Sequence, residues 1–225
     1  IHAMMKLPAL LHHTLVFCAL GFQSSSAFFA PLQRAALKGE LKKACERKDV
    51  DKILGISEEL KKLNPTTDIR KEFNKLEGDW KLDFTTAPAQ EVPDDDVTGV
   101  KTFQSIDTKS GIIYNIIDRG LPEKGLKIAV GAEATRADRV ALDFQTIEAF
   151  NDSFPKKVTL RFPPRNFFRT LSKAKSVLTG NSFDEIEFKE IAHFDIIFLD
   201  DNLRIQRNSE GNLFVNSRIE LLKMT

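Results

Sequence analysis

With 225 residues, 42% of them hydrophobic, the chain is long enough to bury one substantial core, and one principal domain is expected. A formal net charge of +1 leaves no electrostatic footprint for nucleic acid, and two cysteines, Cys18 and Cys45, exclude a disulfide framework or a cysteine-rich metal site. Eighteen Phe against one Tyr and one Trp make the aromatic complement greasy rather than polar.

Ile1-His2-Ala3 precede Met4-Met5 and read as upstream sequence. From Met5 the chain has the order of a secretory signal: Lys6, an apolar stretch broken by His12-His13, then LVFCALGF at 15–22. That run is well short of the ~20 residues that span a bilayer. Ser25-Ser26-Ala27 sets small residues at the −3 and −1 positions of a cleavage site, so residues 1–27 read as upstream residues plus signal peptide. SSAFFAP, residues 25–31, resembles the A-S-A-F-A-P motif of bipartite plastid presequences in algae with complex plastids of red-algal origin. In those presequences the cut falls just before the phenylalanine, here Phe28, and this chain carries one Phe more. Residues 28–48 hold six basic residues against two acids, which suits a transit peptide and equally the start of an N-terminal helix.

The folded domain is expected over 49–225. Val50, Ile53, Leu54, Ile56, Leu60 and Leu63 are spaced for one face of a helix over 49–64, with Asp49 or Asp51 to cap it and Asn64-Pro65 to stop it. Beyond about residue 78 the period changes to two. Trp80, Leu82 and Phe84 alternate with polar residues, and similar sets recur at 112–116, 126–130, 140–144, 158–162, 194–198, 203–205 and 213–215. Gly, Asp and Asn clusters separate them, and no helical crossover intervenes, so the pattern predicts an antiparallel meander. Closure removes the edge strands, and a barrel of about eight strands holds one small ligand. The expected fold is mainly β: an antiparallel lipocalin-like β-barrel preceded by N-terminal α-helices.

Three stretches, in this order, resemble the plastid lipid-associated protein (fibrillin) family. LKKLNPT at 60–66 and LEGDWKLDFTTAP at 76–88 are similar to its helix ending in N-P-T and its L-x-G-x-W-x-L-x-Y-T strand. FQSIDTKSGIIYNIID at 103–118 is similar to its Q-x-I-D strand and the N-containing strand after it. Residues 194–215 resemble its closing motif, with Asp195, Leu199-Asp200, Leu203-Arg204-Ile205 and Arg207 at matching positions. Phe84 departs from the family's usual Tyr, and the basic stretch at 156–175 does not align with the family's motifs. The resemblance implies a lipocalin-like, non-enzymatic plastid protein. It would associate with plastoglobules, thylakoids or stroma, bind or shield carotenoids, quinones or other lipids, and need no cofactor.

Gly78-x-Trp80 matches the G-x-W that opens the first strand of lipocalins, where a late arginine packs over the tryptophan and closes one end. Arg204 and Arg207 are the candidates for that arginine, expected within ~6 Å of the Trp80 ring. Asp200 and Asp201 project to opposite strand faces, which argues against a shared metal and for an ion pair with Arg204 or Arg207 plus a turn residue. Gly78, Trp80, Asp200, Arg204 and Arg207 are therefore read as the barrel-closing set, with Ser209-Glu210-Gly211 as the turn. His193 and Asp195 share a strand face, but no nucleophile in a recognisable setting accompanies them, and no catalytic or metal-binding motif is present.

Trp80, Leu82, Phe84, Ile106, Phe144 and Phe198 are the expected lining of a cavity for one lipid, carotenoid or quinone. Residues 156–175 carry seven basic residues and no acid, interleaved with Phe and Leu. Arg165, Phe167, Phe168, Arg169, Lys173 and Lys175 are the candidate contacts with an anionic lipid surface such as the thylakoid. The same stretch also reads as a solvated connection with its Phe residues in the core. Two functions follow: a small-hydrophobe binder, or a coat protein on lipid globules or membranes that uses its outer surface and holds no interior ligand.

Overall fold

A computed structural model describes residues 25–88, 101–121, 124–150, 158–162 and 191–220. Two helices, α1 (Ser25–Glu46) and α2 (Val50–Lys62), precede nine strands: β1 (Gly78–Thr85), β2 (Lys101–Asp107), β3 (Ile112–Leu121), β4 (Lys124–Ala134), β5 (Arg139–Phe150), β6 (Val158–Arg161), β7 (His193–Leu199), β8 (Leu203–Asn208) and β9 (Leu213–Ile219). All pairings are antiparallel. The order β4-β3-β2-β1-β9-β8-β7-β5, with β4 also paired to β5, closes every strand except β6 into a ring. Closure occurs on β5, whose Arg139–Ala141 half pairs with β7 while Thr146–Ala149 pairs with β6. The architecture is the helix-fronted antiparallel barrel that the period-two pattern predicts.

α2 begins where Asp49 accepts a hydrogen bond from the Lys52 amide at 3.2 Å, an N-cap that satisfies one orphan donor. It buries Ile53, Ile56, Ser57 and Leu60, one stripe at helical spacing, whereas Val50 and Leu54, read from sequence as part of that stripe, are exposed. Asn64-Pro65-Thr66 does more than stop the helix. Asn64 Oδ1 accepts from the Leu199 amide at 3.0 Å, and the Thr66 hydroxyl donates to the Leu199 carbonyl at 2.8 Å. The loop therefore pins the end of α2 to the end of β7.

α1 brings Leu41, Ala44 and Cys45 against the same cluster, with Leu37 packed at its edge. Residues 37–45 thus contribute to the core of the folded domain. Burial pushes the Cys45 thiol up to about 12, with Asp83 and Glu46 adding to the shift, so it behaves as a small apolar side chain.

The barrel has two apolar cores, one on each side of its wall. Outside, the helices cover Phe84, Ile197, Phe198, Leu203, Ile205, Leu213 and Val215. Inside, at one end, Trp80, Ile106, Ile113, Val140, Phe194, Ile196 and Leu199 meet Ile69 and Leu76 from the chain preceding β1. Two bulges decide which residues go where. Between Leu82 and Phe84 the register on β9 shifts, and between Ile196 and Phe198 it shifts on β8. One extra residue reverses the alternation, because side chains in a strand have a period of two. Phe84 and Phe198, expected in the barrel interior, consequently face outward under the helices.

Candidate functional site

Above the interior core the barrel holds a partly open cavity of about 390 Å³. Its lining is divided. Leu82, Ile117, Ile128, Val130, Leu142 and Phe144 form an apolar wall built mainly by β3, β4 and β5. Gln104, Asn115, Gln206 and Asn216, from β2, β3, β8 and β9, form a polar belt, with Phe194 and Phe214 beside it. The belt follows from the covering helices: on β8 and β9 the apolar residues face outward into the helix cluster, so alternation sends Arg204, Gln206 and Asn216 inward.

The belt lies one step from the closed end, since Gln104 is the register partner of both Trp80 and Asn115, and Asn216 that of both Leu82 and Arg204. Trp80 is fully buried and donates its indole N–H to the Leu76 carbonyl at 2.8 Å. Two guanidinium carbons approach its ring centroid, Arg204 at 4.9 Å and Arg218 at 4.2 Å, both within cation–π reach. Arg218 is held by three backbone carbonyls: Lys75 at 2.8 Å, Asp201 at 2.5 Å, and Glu77. Gly78 sits at φ +106°, and a Cβ there would meet the Arg218 guanidinium at 2.7 Å.

Arg204 is different. It is fully buried; it donates through Nη2 to Gln104 Oε1, while Nε and Nη1 have no partner among the described residues. Gln104 in turn donates to Asn115 at 2.5 Å, so a hydrogen-bonded chain runs from the buried cation to the cavity surface. Burial, with Arg218 nearby, pulls the Arg204 guanidinium down to about 9, which leaves it charged at neutral pH. Gln206 Oε1 and Asn216 Nδ2, both on the lining, are also buried without partners among the described residues. Each such group costs about 1–3 kcal/mol.

Of the residues singled out as lining, Leu82 and Phe144 reach the cavity, Trp80 and Ile106 belong to the core beneath it, and Phe84 and Phe198 lie outside the wall. In the closing set, Asp200 does not pair with either arginine: its Oδ2 meets Lys38 of α1 at 2.7 Å and its Oδ1 caps the Asn202 and Leu203 amides. Arg207 faces outward and reaches Glu58 of α2 at 3.4 Å. Asp195 takes a bidentate pair with Arg139, at 2.6 and 2.9 Å, across the β5–β7 seam. Arg165, Phe167, Phe168, Arg169, Lys173 and Lys175 lie outside the described residues. Arg218 and the amide belt escape the sequence reading. Their signal was present, because Asn216 and Arg218 alternate with Leu213 and Val215 once the outer face is known to be the apolar one.

The PAP_fibrillin family model matches residues 31–217. The chain belongs to the PAP/fibrillin family. No curated protein and no solved structure matches it. The family is one of plastid lipid-associated proteins, generally non-enzymatic. The match begins within α1 and ends in β9, so α1 belongs to the PAP/fibrillin region together with the barrel.

Proposed function

We propose that this PAP/fibrillin chain binds one small hydrophobic molecule (a lipid, quinone or carotenoid) in its barrel and performs no catalysis. The observation that carries the reading is the cavity of about 390 Å³ inside the barrel, within the ~300–1,000 Å³ of small-molecule sites. A chain or ring fits wholly inside; a carotenoid would protrude. Site of action is the plastid of an alga with complex plastids, reached through the presequence in 1–27 and its SSAFFAP junction, at plastoglobules, thylakoids or in the stroma. The burial of Leu41, Ala44 and Cys45 supports a mature chain that retains at least the second half of α1.

A specific observation also favours contact with a lipid surface. Phe144 and Phe162, with ring centroids 6.4 Å apart, are both exposed, as are Leu160 and Ile191. Such an apolar rim suits docking on a globule, and it serves a coat protein as well as a carrier.

Filling the cavity separates the two. The full chain incubated with plastid lipid extract is expected to retain about one lipid or pigment per protein, by solvent extraction and mass spectrometry, and Ile128→Trp to retain none. Leu160→Glu with Phe162→Glu is expected to weaken flotation with lipid droplets. Equal extraction from wild type and Ile128→Trp, with flotation still dependent on the rim, leaves the coat reading in place of the cavity.

A further inference from the structure

Resting on the cavity-binding reading, we propose that the preferred occupant is a single-chain amphiphile with an anionic head, a long-chain carboxylate. Its head lies on the Gln104–Gln206–Asn216 belt and its tail against the apolar wall toward Phe144. Three independent features converge. The cavity has an apolar wall on β4 and β5 and a set of amides on β2, β3, β8 and β9, with Phe194 and Phe214 beside them, which suits a molecule with two unlike ends. Gln206 and Asn216 are each more than nine-tenths buried and present at the lining a polar atom, Oε1 and Nδ2 respectively, with no partner among the described residues. Directly behind them is Arg204, fully buried, with no carboxylate partner among the described residues and one link, through Gln104, to the cavity surface.

A purely hydrocarbon ligand leaves every one of these groups unsatisfied and desolvates them further. A neutral head satisfies the amides and leaves the cation uncompensated. A carboxylate accepts from Asn216 Nδ2, and from Gln206 once rotation of that terminal amide exchanges its unpartnered Oε1 for Nε2, and it places negative charge beside Arg204. Arg218 is turned away from it, because each of its three guanidinium nitrogens donates to a backbone carbonyl.

The test is displacement of a neutral dye, Nile red, from the full chain by oleate and by methyl oleate, which share a tail and differ in charge. Oleate is expected to bind at least about tenfold more tightly, the scale of a charged hydrogen bond. Gln206→Leu with Asn216→Leu is expected to erase that preference and to raise the melting temperature of the empty chain, since it removes two unpartnered groups. A merely structural role for the two amides predicts a lower melting temperature instead. Arg204→Met is expected to erase the preference as well, and the double leucine variant decides if that protein fails to fold. Equal displacement by acid and ester overturns the anionic head and leaves the cavity reading standing. Failure of Nile red and both oleyl compounds to bind overturns both.

Discussion

Gly78 is where the closing of the barrel end is decided by a single atom. Its φ of +106° lies in the region that L side chains avoid, and the space a Cβ needs is filled by the Arg218 guanidinium. That guanidinium has little freedom to yield, being fixed by three carbonyls and the Trp80 ring. Gly78→Ala is expected to lose about 2 kcal/mol or more, the backbone penalty plus the displaced arginine. Gly55 provides the control: it lies within α2 with nothing within 4 Å, so Gly55→Ala is expected to gain about 0.5–1 kcal/mol from helix propensity. Urea midpoints followed by the fluorescence of Trp80 report both, and an unchanged midpoint for Gly78→Ala sinks the account. Gly78, Trp80 and, as one of two candidates beside Arg207, Arg204 were legible through the resemblance of G-x-W to the first strand of lipocalins, where a late arginine covers the tryptophan. Arg218 was hidden, since polar residues in an alternating strand read as solvent-facing, and here the outer face is the one that helices cover.

At the scale of elements, the strands were legible and their faces were not. Period two marks every strand of the ring except β2, but it cannot say which of two buried faces is the interior. Ile112, Tyr114 and Ile116 look like a core set, yet the residues that reach the cavity are Ile113, Asn115 and Ile117. Tyr114 carries Lys127 at 4.1 Å from its ring centroid on the other face. Phe84 and Phe198 change sides at bulges that leave no mark in composition. The seam between β5 and β7 is short, three register pairs, and Arg139–Asp195 ties it. Burial raises the Asp195 carboxyl, and the Arg139 hydrogen bond and charge overcome this to hold it below the usual carboxylate range. A depressed native pKa contributes stability above the unfolded value, near 4, and loses it as pH falls through the native value. Asp195→Asn is therefore expected to cost about 1 kcal/mol at pH 7, modest because the pair is partly exposed. The difference from wild type should close in acid below about pH 4. A gap that stays constant from pH 7 to pH 3 removes the ion pair from the explanation.

For the whole molecule, stability is unevenly distributed, and function follows the unevenness. β1 and β7 contribute to both cores, and β8 and β9 to the helix-covered one, with Arg204 and Arg218 of β8 and β9 lying over the Trp80 ring inside. β3, β4 and β5 contribute to the interior core near its closed end, through Ile113, Val140 and neighbours, and have no side chain in the helix cluster. Beyond that end their inner faces border the cavity. Amide exchange depends on how many packed contacts must open, so the two halves should separate. Slow exchange is expected in β7–β9, and faster exchange in the cavity-lining parts of β3, β4 and β5. An occupant supplies the missing inner contacts and binds only the closed barrel, so ligand should slow β3–β5 selectively while β7–β9 change little. Exchange measured by mass spectrometry with and without oleate reads this directly. Uniform protection across the ring, or slowing confined to β7–β9, contradicts a ligand seated against the β3–β5 wall.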